Sequence, residues 1–291
     1  MDPVVLTCPS EEGPQLTATF LPSMGMNLIS FKKGECEVID QSTRPLFEER
    51  FAGLGALIGP HFHRRRPETL PKIPDETLFP HIARVKQKGN IDPFSHGVAR
   101  YAPWKVLQTT PTTIRATISG KDVWNGVPLS LLEGQMFVMK ISAELTPKGL
   151  LLDLSVVGDT DTIVGIHYYY HLPQGKGRVL SSVKPNYLVD GVPHPIPPEW
   201  GFDDQNRLTF DLSREADFTF HPFPNPRSGT IVLDATDYQL QTTYTCPSQE
   251  NAWQLYHPQG ASFVCIEPVS AQDPRHPNLS VSSVQIQLRI V

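Results

Sequence analysis

The chain carries 29 prolines and 20 glycines among 291 residues, distributed along its full length. Turn signals therefore recur every few residues and leave little room for long uninterrupted helices. Helical patterning is confined to short pieces, RPLFEERF (44–51) and LSREAD (212–217), too brief to build a layer of helices. Period-2 alternation is the stronger pattern. Ile114, Ala116 and Ile118 alternate with Thr113, Arg115 and Thr117, and Val284, Ile286, Leu288 and Ile290 with Gln285, Gln287 and Arg289. QMFVMKISAEL, TPKG and LLLDLSVVG read as two strands around a four-residue turn in which Gly149 takes positive φ. Two packed antiparallel sheets are the expected architecture.

The Pro-rich stretches 67–81 and 192–198 are read as long loops, because strand patterning resumes on both sides without a change in composition. No internal repeat or low-complexity tract interrupts the chain, and residues 1–291 are expected to form a single domain. With 39% hydrophobic residues the core can be sizeable. A net charge of -5 and a single basic run, Arg64 to Arg66, argue against a nucleic-acid partner. No apolar run reaches the roughly 18 residues of a spanning helix, and MDPVVLTCPSEEG lacks the succession of a leader peptide. Cys8, Cys36, Cys246 and Cys265 form no CxxC pair and read as reduced thiols. A cytoplasmic protein without membrane partners is the expectation.

Three segments hold candidate chemistry. In ASFVCIEPVS, Glu267 shares a strand face with Phe263 and Cys265. Desolvation there raises a carboxyl pKa toward that of a general base working near neutrality; pairing with an arginine is the plainer alternative. In DTIVGIHYYYHLP, His167 shares a face with Gly165 and Tyr169. That imidazole either relays a proton or is merely hydrogen-bonded within a sheet. In FSHGVARYAPW, His96 precedes Gly97 on a turn, followed by Arg100, Tyr101 and Trp104. This segment offers a polyol contact or, equally, an exposed turn histidine and a core tryptophan.

In this order the segments resemble the aldose 1-epimerase family, the galactose mutarotases. PSMGMNLISFKKG (22–34) resembles the family's early strand, with Gly25 and Asn27 in the expected places. GALIGPHFHRR is similar to its substrate-arginine loop, with Pro60 and Arg64 matching. HGVARYAPW (96–104), GIHYYYHLP (165–173) and FVCIEP (263–268) resemble its HGFAR…W, GxHxYFxLP and terminal Glu-Pro stretches. The resemblance spans roughly residues 14–290 and implies an all-β fold, a large antiparallel β-sandwich of the galactose mutarotase type (supersandwich). It also implies an isomerase that interconverts the α and β anomers of a hexose or related sugar. Glu267 is the implied base on the anomeric hydroxyl and His167 the implied acid on the ring oxygen. His96 and Arg64 are the implied sugar-orienting groups, with His63, Tyr169 and Asp217 as further expected contacts. No metal or organic cofactor is implied; the expected partner is a small-molecule sugar, and a monomer or homodimer is expected. Two positions depart from the family pattern: His63 stands where an Asn precedes the arginine, and the acidic sugar contact is open among Asp190, Asp204 and Asp217, with Asp217 the best match.

Rival readings use other residues. His61, His63 and Glu68, with Gly55 upstream, have the spacing of a cupin metal motif, but a glycine after the Glu and a second motif are missing. GLGALIG lacks the Lys-Ser/Thr of a phosphate loop, so close packing explains it better. Arg64, Arg65 and Arg66 suit the phosphate of a hexose phosphate, although such a run is more often a solvated patch. A catalytically silent carbohydrate-binding sensor would keep the same cleft.

Overall fold

The protein is described here as a computed structural model covering residues 3–291; Met1 and Asp2, which open the expected domain and the N-terminal stretch, lie outside the described residues. Two large sheets dominate, and their strand pairings are all antiparallel among the described residues. The nine-stranded sheet runs from the edge strand Leu208–Asp211 through Gln239–Thr245, Val281–Ile290 and Gly149–Gly158 to Lys105–Thr109. The eleven-stranded sheet has at its centre Gly55–Ile58, Gly165–His171, Phe263–Val269, Ala252–His257 and Ala216–Pro222, in that spatial order. Among the described residues, no helix is long and apolar enough to cross a membrane.

The alternation expected along the chain is present. Ile114, Ala116, Ile118, Val284, Ile286, Leu288 and Ile290 are all buried in one apolar cluster that takes side chains from both sheets. From the larger sheet this cluster takes Ile166, Tyr168, Val264, Ile266, Trp253 and Leu255. Each such side chain contributes about 1.5–3 kcal/mol by leaving water. Half of every central strand is thereby pinned to the core, which leaves the other half facing outward with a set register. The hairpin also forms as read: Thr146 pairs with Gly149, whose φ is +141°. Trp104 is core, its indole donating to the Ala99 carbonyl at 2.8 Å. All four cysteines are free.

Three local expectations are corrected. RPLFEERF forms a helix, Arg44–Arg50, but LSREAD does not. There the Asp211 carboxylate accepts from the Ser213 N–H at 2.7 Å, making a turn, the local competition by which Asp disfavours helix. The 192–198 stretch includes a strand, Val192–Pro195, paired with Val183–Val189 at the end of the sheet, where a proline's missing donor is tolerated. The 67–81 stretch ends in a helix, Pro80–Gln87. Proline fits the first helical turn, and Ile82 and Val85 bury one face of it.

The early strand motif has a mechanical role. Gly25 has φ +71°, and a Cβ there would lie 1.8 Å from the Arg100 carbonyl oxygen. Its N–H donates to Ala102 at 3.0 Å, while the Asn27 amide donates to the carbonyls of Met24 at 2.5 Å and Arg100 at 3.3 Å. The turn before Asn27–Lys33 thus grips the 96–104 segment. Gly25→Ala is expected to lower the unfolding free energy by about 1–3 kcal/mol or more. The measurement is the urea midpoint at constant m, and an unchanged midpoint would contradict the grip.

Candidate active site

Along Gly165–His171 and Phe263–Val269, Tyr168 pairs with Ile266 and Tyr169 with Cys265. Continuing that register sets His167 across from Glu267, on the face opposite the core. Their side chains meet, Nε2 to Oε1, at 3.3 Å. Both are buried, 7% and 2% exposed. Burial and then the nearby Asp217 charge raise the Glu267 carboxyl well above its ordinary value, against the pull of Arg100. Burial and then Arg100 push the His167 imidazolium well down. Desolvated, strongly perturbed acid and base groups in contact are concentrated at functional sites. Tyr169 stacks on the His167 ring at 5.1 Å.

These residues floor a cavity of about 350 Å³, within the roughly 300–1,000 Å³ common for small-molecule sites. Loops form part of its walls. His63 and His96 both have left-handed backbones, φ +58° and +65°, and are locked together: the His96 N–H donates to the His63 carbonyl at 2.7 Å and the His63 N–H to His96 Nδ1 at 3.2 Å. Because Nδ1 accepts, the neutral His96 ring carries its proton on Nε2. Burial, then the charge of His167, keep the His96 pKa well below its ordinary value. Burial, then Arg275 and Arg64, bring His63 down to about 4. Both rings are therefore neutral near pH 7, and His96 stands 5.0 Å from His167, centroid to centroid.

Every residue named from the sequence as a sugar contact lines this cavity: His96, Arg64, Asp217, His63 and Tyr169. Of the three candidate acids, Asp217 is the one in the wall; its carboxyl is raised by burial, an effect that Arg275 opposes. Asp190 is at an exposed hairpin tip, bonded to Arg275 at 2.8 Å, and Asp204 is exposed and absent from the lining. The cavity also holds residues the sequence reading missed. Gln254 pairs across from Glu267, and Tyr256 across from Cys265; alternation through AWQLYH, with Trp253 and Leu255 inward, was the available signal. Arg50 arrives from the end of the helix Arg44–Arg50, Arg100 from the end of the 3-10 turn Val98–Arg100 and Arg275 from a turn.

The cupin arrangement is not formed. His61 turns away from His63, its Nδ1 meeting Glu133 Oε1 at 2.6 Å and its Nε2 lying 3.5 Å from Asp92, while Glu68 is exposed in a separate turn. Arg65 likewise leaves the arginine run to bind Asp92. Gly55 reflects close packing, since a Cβ there would lie 2.5 Å from the Leu28 carbonyl oxygen. Among the described residues the set that could hold a metal is His167, Cys265 and Glu267, with donor atoms within 4.8 Å of one another. Burial raises the Cys265 thiol well above its ordinary value, so it is a protonated and weak ligand near neutrality.

Solved structures share this arrangement of sheets. A GalM/aldose epimerase homologue from C. elegans superposes with a TM-score of 0.67 at 14% identity, covering 100% of this chain and 99% of its own. A galactose mutarotase-like protein from Lactobacillus casei gives 0.66 at 12%, covering 99% and 100%. A Synechocystis protein gives 0.66 at 16%, covering 100% and 96%. The chain has the galactose mutarotase-like fold. No protein-family model and no curated protein sequence matches it.

A buried carboxyl with a raised pKa has a stability signature. Its favourable contribution is complete below the ordinary value near 4.5 and is lost as pH rises through the folded value. Glu267→Gln is therefore expected to leave stability unchanged below pH 4.5 and to increase it at neutral and alkaline pH. Urea midpoints measured across that range decide it; a destabilised E267Q at neutral pH would refute the desolvated carboxyl.

Proposed function

We propose that the chain is an aldose 1-epimerase, a mutarotase whose acid and base are His167 and Glu267, with residues 1–291 as one cytoplasmic domain. The observation that carries this reading is the buried 3.3 Å contact between these groups on the floor of a sugar-sized cavity. Glu267 takes the proton of the C1 hydroxyl while His167 gives one to the ring oxygen. The hemiacetal opens, the C1–C2 bond rotates, and closure on the other face reverses both transfers. A neutral Glu267 beside a neutral His167 holds as many protons as a carboxylate beside an imidazolium. The competent ion pair is thus reached by one transfer across the contact, without exchange with solvent.

His96, donating from Nε2, and Arg64 orient the hydroxyls, Tyr169 and Tyr256 offer ring faces, and Asp217 with Gln254 provides polar contacts at the wall. Fresh α-glucose or α-galactose should lose its optical-rotation drift faster with the protein present. E267Q should remove that acceleration by about 100- to 10,000-fold. Sugar binding without any rate effect in the unmodified protein would instead identify a silent sensor.

A second reading, a mutarotase for an anionic sugar such as a hexose phosphate, is favoured by the arginines. Arg100 is 3% exposed, and its Nε and Nη2, like Arg50 Nε, are buried without a hydrogen-bond partner among the described residues. Buried guanidinium groups without an acceptor are costly, and planar forks match phosphate oxygens. On this reading glucose 6-phosphate is turned over with a higher kcat/KM than glucose, and Arg100→Met reduces that preference at least about tenfold. Equal kcat/KM for both sugars, unaffected by R100M, leaves the neutral sugar as substrate.

A further inference from the structure

We propose that Glu133, outside the cavity, is a positioning residue that holds the two loops presenting His63, Arg64 and His96 to the substrate; the kinetic part of this inference rests on the mutarotase reading. Glu133 ends the short helix Leu129–Glu133, is 3% exposed and does not line the cavity. Its carboxylate nevertheless serves both walls. Oε1 meets His61 Nδ1 at 2.6 Å, on the loop that continues to His63 and Arg64. Oε2 accepts from the Val98 N–H at 2.9 Å, two residues beyond His96. Its carbonyl accepts from Arg65 Nη1 at 2.6 Å.

Asp92 completes the clamp: on the segment that leads to His96 and at the cavity's edge, it ties the two loops to each other, accepting from the Arg65 N–H at 2.8 Å, from Arg65 Nε at 3.0 Å and from Arg65 Nη2 at 2.8 Å. Along the two loops the side chains therefore divide: His61 and Arg65 face the clamp, whereas His63, Arg64 and His96 face the cavity. His63 and His96 both occupy left-handed backbone conformations, which persist at non-glycine residues where the surroundings over-determine them. Their mutual hydrogen bonds fix one loop against the other, and Glu133 is the carboxylate that fixes the pair against a third segment. Without it, the Val98 N–H and the His61 ring lose buried acceptors together, and the bond that sets the His96 tautomer loses its support.

The test compares Glu133→Ala and Glu133→Gln in the full chain, the latter keeping an acceptor for the Val98 N–H. The first readout is the ring nitrogen correlation spectrum of the free protein. His96 should show the Nε2–H form in wild type and E133Q and lose it in E133A. The second is mutarotation of α-glucose. In E133A, kcat and kcat/KM should fall together by about 10–100-fold per folded molecule, and E133Q should recover most of the loss. Should E133A not fold, Glu133→Asp, one methylene short of Val98, carries the same expectation. An unchanged His96 tautomer in E133A, or E133Q as impaired as E133A, overturns the assignment. Absence of mutarotation in wild type sinks the functional reading alone, since the tautomer readout still tests the positioning.

Discussion

Glu267 and His167 are held where neither is easily charged, and that constraint organises the molecule around them. A buried acid and base 3.3 Å apart must be placed by something stiffer than a loop, because their useful geometry tolerates errors well below an ångström. The central strands supply that stiffness from behind. Ile166 and Tyr168 flank His167, and Ile266 precedes Glu267; all are fully buried on the core face. A one-residue slip of either strand would turn its ionisable group into the core and its apolar neighbours into the cavity. The burial that holds the register is therefore also what excludes the wrong register.

Strands place Glu267 and His167, whereas loops place His63, Arg64 and His96, and the two groups are secured differently. His63, Arg64 and His96 have no alternating apolar partner to anchor them. Their segments are held by donors of Gly25 and Asn27 on one side, by the accepting carboxylates of Glu133 and Asp92 on the other, and by the buried Phe94 and Val98 either side of His96. A core residue can lose a methylene and still direct its neighbour correctly. A loop held by a few buried polar contacts loses its geometry when one of them is left unpaired.

This difference explains what could be read from the chain. Alternation carries one bit per residue, and that bit correctly separated Glu267 from Ile266 and His167 from Tyr168. Applied to AWQLYH it would also have found Gln254 and Tyr256. It could not separate His61 from His63, which have the same parity, because the left-handed residue His63 redirects the loop between the clamp and the cavity. Nor could it choose among Asp190, Asp204 and Asp217: the choice depends on Asp217 lying opposite Tyr256 in the sheet, a contact between segments about forty residues apart in sequence. LSREAD misled because composition favoured a helix while a single Asp211 carboxylate offered the backbone a turn.

The cavity's electrostatics couple recognition to the proton pair. Arg100 lowers the pKa of both Glu267 and His167, so it favours the carboxylate at one end of the contact and opposes the imidazolium at the other. These two effects act in opposite directions on the ion pair that the mutarotase reading requires. An anionic group on the substrate, accepting from Arg100 Nε and Nη2, would cancel part of that field. His167 would then take up the shared proton more readily, while Glu267 would keep less of Arg100's help as a base. A neutral sugar leaves the field in place and must favour the ion pair through its own hydroxyl contacts alone. The two substrate readings therefore differ in how the proton would be distributed before ring opening, and on the anionic reading Arg100 is the residue through which the bound anion would reach the Glu267–His167 pair.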